Sequence, residues 1–183
     1  RLCPYAQFKD GVPIIDDGEE ISYYMESVRS EYYFIVDRSG SMDGERINIA
    51  KKALILTLRS LPYDSYFNVV SFGNSFTFMF PTSVKCDQNT INTAINKISQ
   101  FRADMGGTEI LAALNACFYA PNKLNYQKNI FLLTDGSVSN SLEVIQKTKE
   151  RCLHNQSRVF TVGIGSGVSS QFIKGVARAG NGD

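Results

Sequence analysis

Hydrophobic and polar positions alternate along this chain in blocks, and the blocks predict strands and helices in turn. Short apolar runs predict strands at 32–36, 66–72, 76–80, 129–133 and 159–164. Between most of these runs, apolar residues recur at spacings of three and four, which is typical of the buried face of a helix. The alternation indicates an α/β fold with a largely parallel sheet covered by helices on both faces.

Proline, glycine and N-capping residues mark the boundaries of the helical patterns. The first predicted helix starts near Glu45, has its apolar face at 50–61 and stops before Pro62. The others are a second after the N-cap Asp87, 108–119 before Pro121, 142–152, and a last one between the N-cap Ser169 and Gly180.

One connection is too short for a parallel pair of strands. Only Gly73, Asn74 and Ser75 separate 66–72 from 76–80. A turn of this length joins antiparallel neighbours, so the second of these strands is predicted to be an antiparallel edge strand. Counting strands along the chain, we expect the order 3-2-1-4-5.

Composition bounds the class of protein. The 183 residues suit one domain with a real core, and 43% hydrophobic and 20% charged residues are ordinary for a globular protein. The net charge is +1 with no long run of one sign, so nothing points to nucleic acid or to a membrane surface. No apolar stretch has the roughly 18 to 20 residues of a spanning helix, and membrane insertion is not expected. The chain starts at Arg1 without Met, so we expect it to be an excised fragment.

The four cysteines match no zinc spacing. Cys117 falls on the apolar face of a predicted helix and is expected to be a buried thiol, and the others are Cys3, Cys86 and Cys152. Two disulfides in a secreted domain remain an alternative. The glycosylation sequon that begins at Asn155 does not decide between the two settings, because such triplets also occur by chance. Reduced thiols and a cytoplasmic setting are favoured over secretion.

Oxygen-bearing side chains collect where predicted elements begin or end. Asp37, Ser39 and Ser41 follow the first strand, Thr108 follows a Gly-Gly pair and opens the third predicted helix, and Asp135 ends the fourth strand. Since both aspartates follow parallel strands, they are expected to converge at one edge of the sheet. Oxygen-only ligands favour Mg²⁺, Ca²⁺ or Mn²⁺ over Zn²⁺.

The order of these residues resembles the metal-ion-dependent adhesion site of von Willebrand factor A (vWA) domains. The segments that carry the resemblance are Asp37-Arg-Ser-Gly-Ser-Met, Tyr66-Phe-Asn-Val-Val-Ser-Phe-Gly, Gly106-Gly-Thr-Glu-Ile, Leu133-Thr-Asp-Gly and Val162-Gly-Ile-Gly. They are most similar to the branch that contains inter-α-trypsin inhibitor heavy chains and their intracellular relatives. In that branch a vault/inter-α-trypsin-inhibitor type domain usually precedes the vWA domain.

The resemblance covers about residues 31–181 and implies a Rossmann-like vWA fold. It implies a vWA domain at 31–183 from which the last strand and helix of the family are missing. Residues 1–30 show no clear period, and we interpret them as a partly packed connector from an upstream domain.

The resemblance also implies a role for each candidate residue. Ser39, Ser41 and Thr108 are expected to hold the ion directly, and Asp37 and Asp135 often through water, with Mg²⁺ the usual ion. Neutral hydroxyls leave the cation electrophilic, so an Asp or Glu carboxylate from a partner protein is expected to complete its shell. The implied function is metal-dependent protein–protein interaction rather than catalysis.

Two other functions stay open at this stage. A phosphohydrolase of the haloacid-dehalogenase type also places a nucleophilic Asp after the first strand, but it needs a second acid where Ser39 stands. A scaffold would keep the motif and bind through another face, with the metal incidental. Near the motif, we expect Asp43 to cap the first helix rather than bind the ion, and Asp104 is a candidate supporting residue.

Overall fold

A mixed sheet forms the centre of the computed structural model, which describes residues 7–9, 12–14, 29–138, 140–155, 157–165 and 167–182. A separate antiparallel pair precedes the sheet and consists of β1 (Gln7–Lys9) and β2 (Val12–Ile14). The strands of the sheet are β3 (Ser30–Asp37), β4 (Tyr66–Phe72), β5 (Phe76–Phe78), β6 (Val84–Lys85), β7 (Gln127–Thr134) and β8 (Arg158–Gly163). The helices are α1 (Glu45–Arg59), α2 (Gln88–Ser99), α3 (Ile110–Tyr119), α4 (Ser141–Asn155) and α5 (Ser170–Ala179).

The sheet has the order β5-β4-β3-β7-β8, and the pairs β4-β3, β3-β7 and β7-β8 are parallel. β5 pairs antiparallel with β4, and the short β6 pairs antiparallel with the other end of β4. The predicted strand order and the antiparallel edge strand are therefore confirmed. β6, which has only two residues, was not predicted.

Helices cover both faces of the sheet because successive residues of a strand point to opposite sides. On β3, Tyr33 and Ile35 pack into a core with side chains of α3, α4 and α5. Phe34 and Val36 pack on the other face with side chains of α1 and α2. Each face thus has its own buried core, as expected for an α/β sheet.

The caps of two helices agree with the sequence prediction, and a third does not. Asp87 caps α2 in a capping box with Thr90, and the Ser169 hydroxyl accepts from an N–H in the first turn of α5. Asp43 was predicted to cap α1, and this is wrong. Gly44, with φ of +79°, occupies that position and makes no side-chain cap hydrogen bond.

β5 is shorter than the predicted strand 76–80 because a side chain, in place of a neighbouring strand, binds the backbone at Phe80. The Asn68 carboxamide accepts a hydrogen bond from the Phe80 N–H at 3.2 Å and donates one to the Phe80 carbonyl at 2.9 Å. The backbone of Phe80 is satisfied in this way without strand pairing, and β5 ends at Phe78.

Other sequence predictions fall partly outside the described residues. Of the predicted connector, only β1, β2 and residues 29–30 are described, and Cys3 is not. Cys86, Cys117 and Cys152 are buried free thiols, which confirms the expectation for Cys117. Asn181 forms an isolated parallel bridge with Val159 of β8, and the expected loss of the last strand and helix stays a prediction. In the part of the chain that is described, no helix has the length and apolar character needed to cross a membrane.

Candidate metal centre

Two buried aspartates lie at the carboxyl ends of neighbouring parallel strands. β3 and β7 pair with Val36 opposite Leu133, so both strands leave the sheet side by side at this edge. Asp37 is 0% exposed and Asp135 is 3% exposed. The structure thus brings the two carboxylates to the same edge of the sheet, as the sequence predicts.

Hydrogen bonds from Ser39 and Thr134 hold the Asp37 carboxylate. Its Oδ1 accepts from the Ser39 N–H at 2.9 Å, and its Oδ2 accepts from the Thr134 hydroxyl at 2.6 Å. Burial raises the pKa of Asp37 above its ordinary value and the charge of Asp135 adds to this rise, whereas hydrogen bonds from Ser39 and Thr134 oppose it. A nearby cation would offset the cost of burying this carboxylate.

Ser41 lies within a short 3₁₀ turn at Gly40–Met42, and Ser39 directly precedes that turn. Ser39 is buried, Ser41 is exposed, and their hydroxyl oxygens are 3.1 Å apart. Ser39 makes no side-chain cap hydrogen bond to this turn. The serines therefore present a close pair of hydroxyl oxygens beside Asp37.

Backbone hydrogen bonds fasten the loop before Thr108 to the serine loop. The Gly40 N–H donates to the Gly106 carbonyl at 2.8 Å, and the Met105 N–H donates to the Arg38 carbonyl at 3.0 Å. Thr108 lies two residues after Gly106 and is half-buried. The structure places Thr108 on a loop bound to the motif, but it shows no direct contact between Thr108 and the other candidate ligands.

The prediction that Thr108 opens a helix is wrong, because α3 begins at Ile110. The Glu109 N–H donates to the Gly73 carbonyl at 2.8 Å, and the Gly107 N–H donates to the Asn74 side-chain oxygen at 2.6 Å. These bonds hold the segment in a non-helical conformation, with a ψ of 62° at Glu109.

Two functional candidates were missed by the sequence analysis. Thr134, which is fully buried, supplies the hydroxyl that binds Asp37, and its only signal was its place beside Asp135 in the Leu-Thr-Asp-Gly segment. Arg46 donates through Nη1 to Asp135 Oδ2 at 3.0 Å and to the Ser41 carbonyl at 2.8 Å. In the sequence Arg46 is an ordinary residue in the first turn of a helix.

Asp104 supports an arginine rather than the candidate ligands. Its carboxylate accepts from Arg38 Nη2 at 2.6 Å and is more than half exposed. The Arg38 guanidinium also lies 4.5 Å from the centre of the Phe101 ring and donates to the Arg102 carbonyl. This group forms a rim next to the serine loop.

The donor chemistry of the site fits a hard divalent cation. The candidate set consists of two carboxylates and three hydroxyls, all oxygen donors of the kind that Mg²⁺, Ca²⁺ and Mn²⁺ prefer. Among the residues that the structure describes, no group of three or more His, Cys, Asp or Glu side chains is placed to hold a metal ion. If the site holds an ion, neutral hydroxyls must supply much of its shell.

Comparisons with known proteins are consistent with this geometry. A family model described as von Willebrand factor type A domain matches residues 30–183. The human von Willebrand factor A domain-containing protein 5A is 41% identical over 161 residues, which are 83% of this chain and 20% of that protein. The chain spans about a fifth of the length of this protein and of the mouse and rat proteins of the same name.

Solved structures share the fold at low sequence identity. The manganese-loaded TRAP protein of Plasmodium vivax has a TM-score of 0.66 and 22% identity, over 82% of this chain and 63% of that one. Proximal thread matrix protein 1 from the mussel byssus, with a zinc-occupied MIDAS motif, has a TM-score of 0.65 and 19% identity, over 81% and 39% of the two chains. These neighbours share the α/β architecture described above.

Proposed function

This chain belongs to the von Willebrand factor type A family, and on that premise we propose that it is a protein-interaction module that binds a partner carboxylate through a divalent cation. The observation that carries the proposal is the convergence of Asp37, Ser39, Ser41 and Asp135 at one edge of the sheet. The metal-loaded neighbours add support, since one chain of the same fold holds manganese and another holds zinc.

Each candidate residue has a distinct task in this proposal. The hydroxyls of Ser39, Ser41 and Thr108 bind the ion directly, and the carboxylates of Asp37 and Asp135 neutralise it, often through water. A divalent cation with so many neutral ligands stays electrophilic and keeps a position for a foreign oxygen. An Asp or Glu side chain of the partner takes that position, and Mg²⁺ is the ion we expect in the cell.

The site has the features of recognition rather than turnover. A phosphohydrolase of the haloacid-dehalogenase type needs an acid two residues after its nucleophilic Asp, and Ser39 stands there. The buried Ser39 hydroxyl lies 3.1 Å from the Ser41 hydroxyl, beside the Asp37 carboxylate. No step of bond breaking is part of the proposal.

Metal binding is tested with Mn²⁺ by calorimetry and thermal unfolding of the wild type, Ser41→Ala and Ser60→Ala. Ser41 is exposed and contributes little to the core, so its loss removes a ligand and leaves the fold standing. Ser60 is also exposed but follows the far end of α1, which makes it a matched control. At a hundredfold excess over Kd, the ion should stabilise the wild type and Ser60→Ala by about 2.7 kcal/mol and Ser41→Ala by much less. No stabilisation of the wild type at millimolar Mn²⁺ would refute the metal part.

Partner binding is tested by capture from native extract in Mg²⁺ or in EDTA, with Ser41→Ala as the control bait. Metal and partner should each raise the other's affinity, because the partner carboxylate binds the ion. Once a partner is captured, replacing its acidic residue should remove the magnesium dependence together with tight binding. Capture that is indifferent to EDTA and to Ser41→Ala would favour the scaffold alternative.

A further inference from the structure

The Arg46 guanidinium is a cation built into the candidate metal centre. Its Nη1 lies 3.0 Å from Asp135 Oδ2 and 2.8 Å from the Ser41 carbonyl oxygen, so one nitrogen joins the carboxylate of one loop to the backbone of the other. The carboxylate is 3% exposed and the arginine side chain is 40% exposed. The guanidinium is therefore partly open to solvent, and its charge is in direct contact with a buried candidate ligand.

The far side of Arg46 rests on the segment that follows β8. A Cβ atom built on Gly165 would lie 3.2 Å from Arg46 Nε, and one built on Gly167 would lie 3.8 Å from Nη2. Gly165 has φ of +97°, a conformation that side chains other than glycine rarely adopt. The backbone at Gly165 and Gly167 therefore lies close to the guanidinium, and a side chain at Gly165 would crowd it.

The charges give this arrangement a consequence for the ion. With both carboxylates ionised and Arg46 in place, the group carries one net negative charge. A divalent cation changes this to one net positive charge. Without the arginine, the same ion would bring the group only to neutrality. Arg46 therefore repels the incoming cation and attracts an anion to the site once the cation has bound.

We propose that Arg46 lowers the affinity of this site for the divalent ion and raises the affinity of the ion-loaded site for a carboxylate. Arg46 does this through its charge, which its hydrogen bonds to Asp135 and to the Ser41 carbonyl hold beside the candidate ligands. The inference rests on the proposed function, because it concerns the same ion and the same incoming carboxylate. It adds a specific source for the positive charge that remains after the ion has bound.

The test compares Mn²⁺ affinity in the wild type, Arg46→Gln, Arg46→Lys and Arg59→Gln. Arg59 is exposed and lies 13 residues further along α1, about 20 Å away, so Arg59→Gln has the same charge change without the contact. Urea unfolding in EDTA establishes that each variant is folded. Arg46→Gln should bind Mn²⁺ about tenfold more tightly than the wild type, while Arg59→Gln should stay within about twofold because salt screens distant charges.

A second readout uses acetate as the carboxylate probe. Bound Mn²⁺ enhances the relaxation of water protons, and acetate lowers this enhancement when it displaces water from the ion. Acetate should bind severalfold more weakly to Mn²⁺-loaded Arg46→Gln than to the loaded wild type. Arg46→Lys keeps the charge and should resemble the wild type in both measurements.

The outcomes separate this inference from the proposed function. Wild-type binding of Mn²⁺ with equal or weaker binding by Arg46→Gln overturns the role of Arg46 alone. Arg46→Lys with the same affinities as Arg46→Gln also overturns it, because charge would then not be the cause. Unchanged acetate affinity in Arg46→Gln removes the effect on the carboxylate. If none of the four proteins binds Mn²⁺, both proposals fail.

Discussion

Thr134→Val is the sharpest test of how the site is held together. The Thr134 hydroxyl donates to the buried Asp37 carboxylate at 2.6 Å and accepts from the Gly136 N–H at 3.1 Å. Valine keeps the shape and loses both bonds. A hydrogen bond to a charged group contributes about 1.5–3 kcal/mol, and an unpaired buried N–H costs about 1 kcal/mol or more. We expect Thr134→Val to lower the free energy of unfolding by about 2–4 kcal/mol.

Thr148→Val provides the matched control. Thr148 and Thr134 are both 0% exposed, but the Thr148 hydroxyl donates to a neutral carbonyl, that of Val144 one turn earlier in α4, at 2.8 Å. The same exchange should therefore cost only about 0–1 kcal/mol. Urea unfolding in EDTA measures both changes. If the two variants lose equal stability within about 0.5 kcal/mol, the hydrogen bond to Asp37 has no special energetic role.

Three further predictions concern other contacts. Asn74→Ala removes the acceptor of the Gly107 N–H and should weaken Mn²⁺ binding severalfold by loosening the loop that carries Thr108, so an unchanged affinity in calorimetry would contradict this placement. Lys128→Met removes a buried donor to two carbonyls at the end of α3 and should cost about 2–3 kcal/mol in urea unfolding because those carbonyls lose their partner, whereas a loss below about 1 kcal/mol would show that they find other partners. Burial raises the pKa of Cys152 to about 11, so its thiolate is scarce at pH 8 and iodoacetamide should label it only after unfolding. Native labelling at the rate of an exposed thiol, seen by mass spectrometry, would contradict that.

The fold was predictable because its signals are local and mutually consistent. The run at Tyr66–Phe72 is observed as predicted, and the three-residue turn after it allows only an antiparallel neighbour. Asp87 caps its helix through atoms three residues away. Such features depend on neighbours in the chain, and the sequence displays those neighbours directly.

The features that could not be predicted from the sequence depend on contacts between distant segments. Arg46 meets a carboxylate 89 positions later, and nothing in its own helix indicates that contact. The start of α3 is set by Gly73 and Asn74 on another loop, which override the helical pattern that begins at Thr108. The end of β5 is set in the same way by the side chain of Asn68.

The hydrogen bond between Thr134 and Asp37 has a consequence for the kinetics of folding. It joins residues 97 positions apart and can form only after the central strands β3 and β7 have paired in parallel. Parallel pairing over such a separation is slow, because the loop must close before its contacts form. The loops that leave these strands are expected to be ordered last. An ion that binds them should slow unfolding and leave the folding rate nearly unchanged, so the lifetime of the folded state would report on occupancy of the site.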